Sequence, residues 1–187
     1  MGLLVSATMA LVSCKDNQGG NFDNEETTTQ GTAWGYFKDT NTLTGETTAL
    51  SAYIESTNRP RTDGNGNTAR LAMKISYSVT SYAAQVKGGP ANSVFFTFIE
   101  DDNLCHFAKR HGSGILVIFD NGEVDDTWKL IFKSSDERGL MIYEPQQVDK
   151  FISRLKTSKT CKIQADLEKG GEVTFKFNSE GLDWDFK

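Results

Sequence analysis

The sequence predicts a mainly β protein: a two-sheet antiparallel β-sandwich, or a flattened barrel, with one amphipathic helix near residues 145–156. Three observations predict it. Apolar and polar residues alternate with period two in several short runs, clusters of Gly, Asn, Asp and Thr separate those runs, and a single segment carries helical spacing. The length of 187 residues suits one domain with a proper core plus a tail. Hydrophobic content of 37% with 12 Phe, 17 Gly and only 3 Pro describes a globular chain of short strands and tight turns, not a disordered one.

The strands follow in order. In "LAMKISYSV", Leu71, Met73, Ile75, Tyr77 and Val79 alternate with small or charged residues, the pattern of a sheet with one buried face. Val94, Phe96 and Phe98 repeat it, as do Trp128, Leu130 and Phe132. Ile163, Ala165 and Leu167 follow, then Val173, Phe175 and Phe177. The run "ILVIF", residues 115–119, is apolar throughout and predicts a central strand covered on both faces. Turn chemistry agrees: "DNG" at 120–122 and "KGG" at 169–171 supply residues that tolerate positive φ, the second closing a hairpin. "TDGNGN" at 62–67 and "KGGP" at 87–90 read as longer loops. The helix begins after Glu144, with Pro145 in its first turn and Val148, Phe151, Ile152 and Leu155 at i, i+3, i+4 and i+7. The expectation is about ten short strands, with the helix between the eighth and ninth.

The first 31 residues read differently. Residues 2–13, "GLLVSATMALVS", form an apolar run well short of the roughly 20 residues a membrane-spanning helix needs. The run has the length of a secretion-signal h-region and ends in small residues. Its end, Leu11-Val12-Ser13-Cys14, resembles a bacterial lipobox. The resemblance implies that residues 1–13 are a signal peptide removed on export, and that the Cys14 thiol carries a diacyl anchor with a further acyl chain on the new amino terminus. Two or three chains hold a protein stably at a membrane, each buried CH2 contributing about 0.8 kcal/mol. The basic residue that usually precedes such a run is absent here. Lys15-Asp16-Asn17 is similar to the charged export signal of Bacteroidetes surface lipoproteins, which implies an outer-membrane address. Residues 14–31 then form the lipidated terminus and a flexible tether, since "KDNQGGNFDNEETTTQ" lacks apolar periodicity; residues 32–187 form the domain.

Within the domain, "FKFNSEGLDW" at 175–184, "AWGYF" near residue 34 and "VIFDNGE" at 117–123 resemble small domains of unknown function in Bacteroidetes lipoproteins. These are packing motifs. The resemblance implies a fold and an address, and brings no catalytic residue with it.

Charge and motif content then narrow the chemistry. A net charge of −5 leaves no positive excess to neutralise phosphates, which argues against a nucleic-acid partner. No glycine pattern matches a phosphate loop or dinucleotide fold, so no cofactor is expected. With Cys14 lipidated, Cys105 and Cys161 are left. They form either a disulfide closing a loop worth roughly 4 kcal/mol in chain entropy, or two separate buried thiols. Cys105, His106 and His111 are metal-ligand types without metal-site spacing. Asp63, Asn65 and Asn67 alternate like the start of an EF-hand loop, but Lys74 stands where a bidentate Glu belongs. "HGSG" at 111–114 has no nucleophile elbow after it.

Two function classes therefore stand against each other. The first is a non-catalytic binding or assembly module for a protein or glycan partner, with an exposed aromatic pair drawn from Trp34, Trp128, Trp184, Tyr53 and Tyr82. The second is an envelope or glycan hydrolase using loop carboxylates from Glu100, Asp101 and Asp102 or from Asp120, Glu123, Asp125 and Asp126. A purely structural subunit, marked by an unpaired edge strand, is a third class.

Overall fold

The computed structural model describes residues 24–28, 33–41, 43–78, 87–89, 91–99, 105–108, 115–128, 130–132, 138–142 and 144–186. They form ten strands and one long helix: β1 (Asn24–Thr28), β2 (Gly35–Thr40), β3 (Thr47–Glu55), β4 (Arg70–Ser78), β5 (Ala91–Ile99), β6 (Leu116–Phe119), β7 (Leu130–Phe132), β8 (Gly139–Ile142), α1 (Pro145–Thr157), β9 (Thr160–Leu167) and β10 (Gly171–Asn178). The helix does lie between the eighth and ninth strands.

Every pairing is antiparallel. Seven strands make one sheet in the order β1-β2-β3-β4-β5-β8-β7, and three make a second in the order β10-β9-β6. No strand belongs to both sheets, so the architecture is an open two-sheet sandwich and not a closed barrel. The first five strands run as a meander. The chain then leaves for the second sheet, returns for β7 and β8, and crosses over again through α1.

The period-two pattern explains which residues meet. Leu71, Met73 and Ile75 of β4, with Val94, Phe96 and Phe98 of β5, point to the second sheet, whose Ile163, Ala165, Leu167, Val173, Phe175 and Phe177 point back; all are buried in one core. Phe98 meets Phe175 across the gap with ring centroids 5.9 Å apart. Three strands cannot cover seven. The helix covers the remainder, burying Val148, Phe151, Ile152 and Leu155. Phe151 lies edge-on to Phe96 of β5, Phe119 of β6 and Trp128, at centroid distances of 5.8, 5.4 and 5.2 Å. Pro145 opens the helix with its φ already helical, and Arg154 and Lys156 in the last turn suit the negative end of the dipole.

Two expectations are corrected. The 115–119 run is not a central strand: β6 lies at the edge of the three-stranded sheet. Ile115, Val117 and Phe119 are buried, Leu116 and Ile118 only half so, and the chain folds back so that Asp125 pairs with Val117 at this edge. The tether read over 14–31 includes Asn24–Thr28, which pair with β2 as β1. Main-chain hydrogen bonds can hold an edge strand without apolar alternation, which is why periodicity gave no sign of it.

The β9–β10 hairpin turns through Glu168, Lys169 and Gly170, and Gly171 takes the left-handed φ of 63° that its place after the turn requires. At Gly170 a Cβ would stand 2.3 Å from the Thr62 carbonyl oxygen, because the 56–69 loop lies directly against the hairpin. Gly170→Ala should therefore force this contact apart and lower stability by about 2 kcal/mol, read as a fall in the urea midpoint with an unchanged m-value.

Candidate functional site

After Asn178 the chain continues as a tail, 179–186, laid across the end of the sandwich beside α1. Leu182 and Trp184 turn inward and are buried, whereas Asp183 and Asp185 face out. Each turn of the tail is tied down. Trp34 Nε1 donates to the Ser179 carbonyl at 3.1 Å, and Tyr36 Oη accepts from the Asp183 amide at 2.8 Å. Burial, with a smaller contribution from the Asp183 carboxylate, raises the Tyr36 phenol above its ordinary pKa despite that amide hydrogen bond. Asn92, at the start of β5, holds the last residues with both ends of its amide: Oδ1 accepts from Trp184 Nε1 at 3.1 Å, and Nδ2 donates to the Phe186 carbonyl at 2.7 Å.

Between this tail and the helix lies an open cleft of about 560 Å³. One wall is aromatic: Phe186, 41% exposed, stands edge-on to Trp184 at 5.1 Å and tilted against Tyr77 at 5.6 Å. The other wall is the helix, where Asp149, Ser153 and Thr157 follow one another at i, i+4 and i+8 as a polar ridge, with Ile152 beneath it. Lys156 joins the walls, its Nζ donating to the Trp184 carbonyl at 2.8 Å and to Asp185 Oδ1 at 2.6 Å. Lys87 stands at the rim. The arrangement offers a flat apolar face opposite a row of hydrogen-bonding groups, which is the equipment of a binding site.

The residues singled out from sequence are scattered. Cys14 and the signal segment lie outside the described residues, as do Glu100, Asp101, Asp102, His111, the "HGSG" run and Tyr82. Cys105 and Cys161 are both buried and are not joined to each other. Cys161, second in β9, lies opposite Phe119 and Phe177, whereas Cys105 sits two residues before Phe107, which pairs with Leu167 at the far end of the same strand. Six residues of strand span about 20 Å, far beyond the roughly 7 Å Cα separation a disulfide tolerates. Of the two readings left open, the structure has the separate thiols, and burial pushes that of Cys161 far above its ordinary pKa. Cys105 and His106 border a void of about 10 Å³, room for a single water. Among the described residues no three His, Cys, Asp or Glu side chains converge as a metal would need.

The acidic loops are occupied structurally. Asp63 spends its carboxylate on its own loop, accepting from the Asn65 and Asn67 amides and from Asn67 Nδ2. Asp120, at φ 53°, accepts from the Lys159 and Thr160 amides and so pins the start of β9. Asp125 is clasped by Lys150 and Arg154 from α1, both at 2.9 Å, and by Thr127. Glu123 and Asp126 are exposed. The tryptophans are core residues, with Trp34, Trp128 and Trp184 all at least 96% buried, and Tyr53 packs edge-on to Phe37 on the outer face of the large sheet. The sequence patterns did not point to Phe186 and Asn92 as site residues. The aromatic–acid alternation of "LDWDF" was the available signal.

No protein-family model, no curated protein and no solved structure matches the chain.

For Asp125, partial burial alone would raise the pKa, but hydrogen bonds from Thr127 and Lys150 and the charge of Lys150 outweigh it and hold the carboxyl below its ordinary value. A depressed folded pKa gives stability that is complete above the unfolded value of about 3.9 and is lost as pH falls through the folded one. Asp125→Asn should therefore cost on the order of 1 kcal/mol at pH 7, modest because Lys150 is half in solvent. Urea unfolding of both chains should show the difference shrinking below pH about 4.

Proposed function

We propose that the chain is a lipid-anchored lipoprotein of the cell envelope, held through Cys14 at the outer membrane, whose β-sandwich is a non-catalytic binding module with the cleft between α1 and the C-terminal tail as its ligand site. The observation that carries the module reading is the cleft itself: preformed, open, and walled by an exposed aromatic ring facing a polar helix ridge. The anchor reading rests on the apolar run and the lipobox-like residues ending at Cys14. No helix among the described residues is long and apolar enough to cross a membrane. The competing hydrolase reading draws less support, because Asp120 and Asp125 are committed to backbone amides and to basic side chains of the helix.

Each half has its own measurement. Metabolic labelling with a palmitate analogue should tag the chain in its native host, and Cys14→Ala should abolish the tag; label kept in the mutant removes the anchor reading. For the cleft, Ser153→Trp places an indole on an exposed helix position and fills the gap without touching the core. Immobilised chain should retain envelope material from detergent extracts, and Ser153→Trp should lose that retention. A Thr174→Trp control, on the outer face of the second sheet, should keep it.

A further inference from the structure

Resting on the binding-module reading, we propose that the cleft takes an uncharged saccharide, with a pyranose ring lying on Phe186 and its rim hydroxyls reaching the helix ridge. Three features select that chemistry. The walls differ in kind: an aromatic face on one side, and the side chains of Asp149 and Ser153 on the other, which make no hydrogen bond among the described residues. A purely apolar ligand would strip water from that ridge and return no hydrogen bond for it. A sugar ring has both surfaces. Its C–H face suits the negative π-cloud of Phe186, and its equatorial hydroxyls both donate and accept.

The second feature is charge. Lys156 and Asp185 neutralise each other at 2.6 Å, and Lys87 at the rim and Asp149 on the ridge carry opposite signs, so the side chains lining the cleft have no net charge with which to select an anion or a cation. The third is rigidity. Asn92, 6% exposed, fixes Trp184 and Phe186 through both ends of its amide, and Lys156 fixes the tail to the helix. The platform is thus set before the ligand arrives, which matters for a sugar, whose hydroxyls exchange water bonds for protein bonds at little net gain. The volume of about 560 Å³ falls among those of small-ligand sites.

The test follows the Trp184 indole N–H by NMR while the full chain is titrated with cellotetraose, maltotetraose or chitotetraose, each to about 20 mM, well above a millimolar Kd. At least one should give a saturable shift that changes less than about threefold on raising salt to about 0.5 M, where exposed charges are screened. Phe186→Ala should weaken it by about tenfold or more, and Phe186→Tyr should keep it within about threefold. Ser153→Trp, which leaves the tail packing untouched, should also abolish it, so the outcome does not depend on Phe186→Ala folding normally. No saturable shift with any of the three saccharides, or a shift undiminished in Ser153→Trp, overturns the proposal. If no saccharide binds while Ser153→Trp still loses envelope material, the ligand class is wrong and the binding-module reading stands. If Ser153→Trp retains that material, the module reading itself fails.

Discussion

Phe151 is the side chain on which the sandwich depends. It projects from α1 into the core and meets a ring from each sheet: Phe96 on the seven-stranded sheet and Phe119 on the three-stranded one, with Trp128 as a third. Edge-to-face rings give directional attraction beyond the area they bury, so this cluster fixes the helix in rotation as well as depth. Val148, Ile152 and Leu155 then cover what the small sheet leaves bare. The helix's outward residues are fixed by the same contact, and among them are the ridge that faces the cleft.

Polar groups play a matching part around the rim. Arg154 lies over Phe119 and Lys150 over Trp128, while both bond to Asp125, so one carboxylate gathers two cations onto two aromatic faces. Asp120 performs a comparable task at the start of β9. These acids cluster in the sequence. Their work is to join β6 and its following loop to the helix and to β9, and a carboxylate held by backbone amides or paired cations is poorly placed to exchange protons with a substrate.

The strands and helix were legible because each obeys a local rule. Residues 71–77, 94–98, 163–167 and 173–177 alternate, and Pro145 followed by Val148, Phe151, Ile152 and Leu155 admits little besides a helix. What depended on distant pairing was not legible. "ILVIF" reads as a strand buried on both faces, yet whether such a run is central or at an edge is decided by partners far along the chain. The separation of Cys105 from Cys161 follows from Phe107 docking at Leu167, a contact that no local pattern announces. The cleft was hidden for the same reason: Trp184 and Phe186 become a wall only because Asn92, some ninety residues earlier, receives them. Asp149, Ser153 and Thr157 read simply as the polar side of an amphipathic helix.

The loop after β3 does more than return the chain. The Thr57 amide and hydroxyl both reach the Lys176 carbonyl, while Asn58 accepts from the Lys176 amide and donates to the Thr174 carbonyl. Those are the outward-facing main-chain groups in the middle of β10, and a guest strand would have to claim the same groups. The small sheet is therefore sealed on that flank by its own chain, and neither fibre growth nor a peptide recruited by sheet extension can begin there.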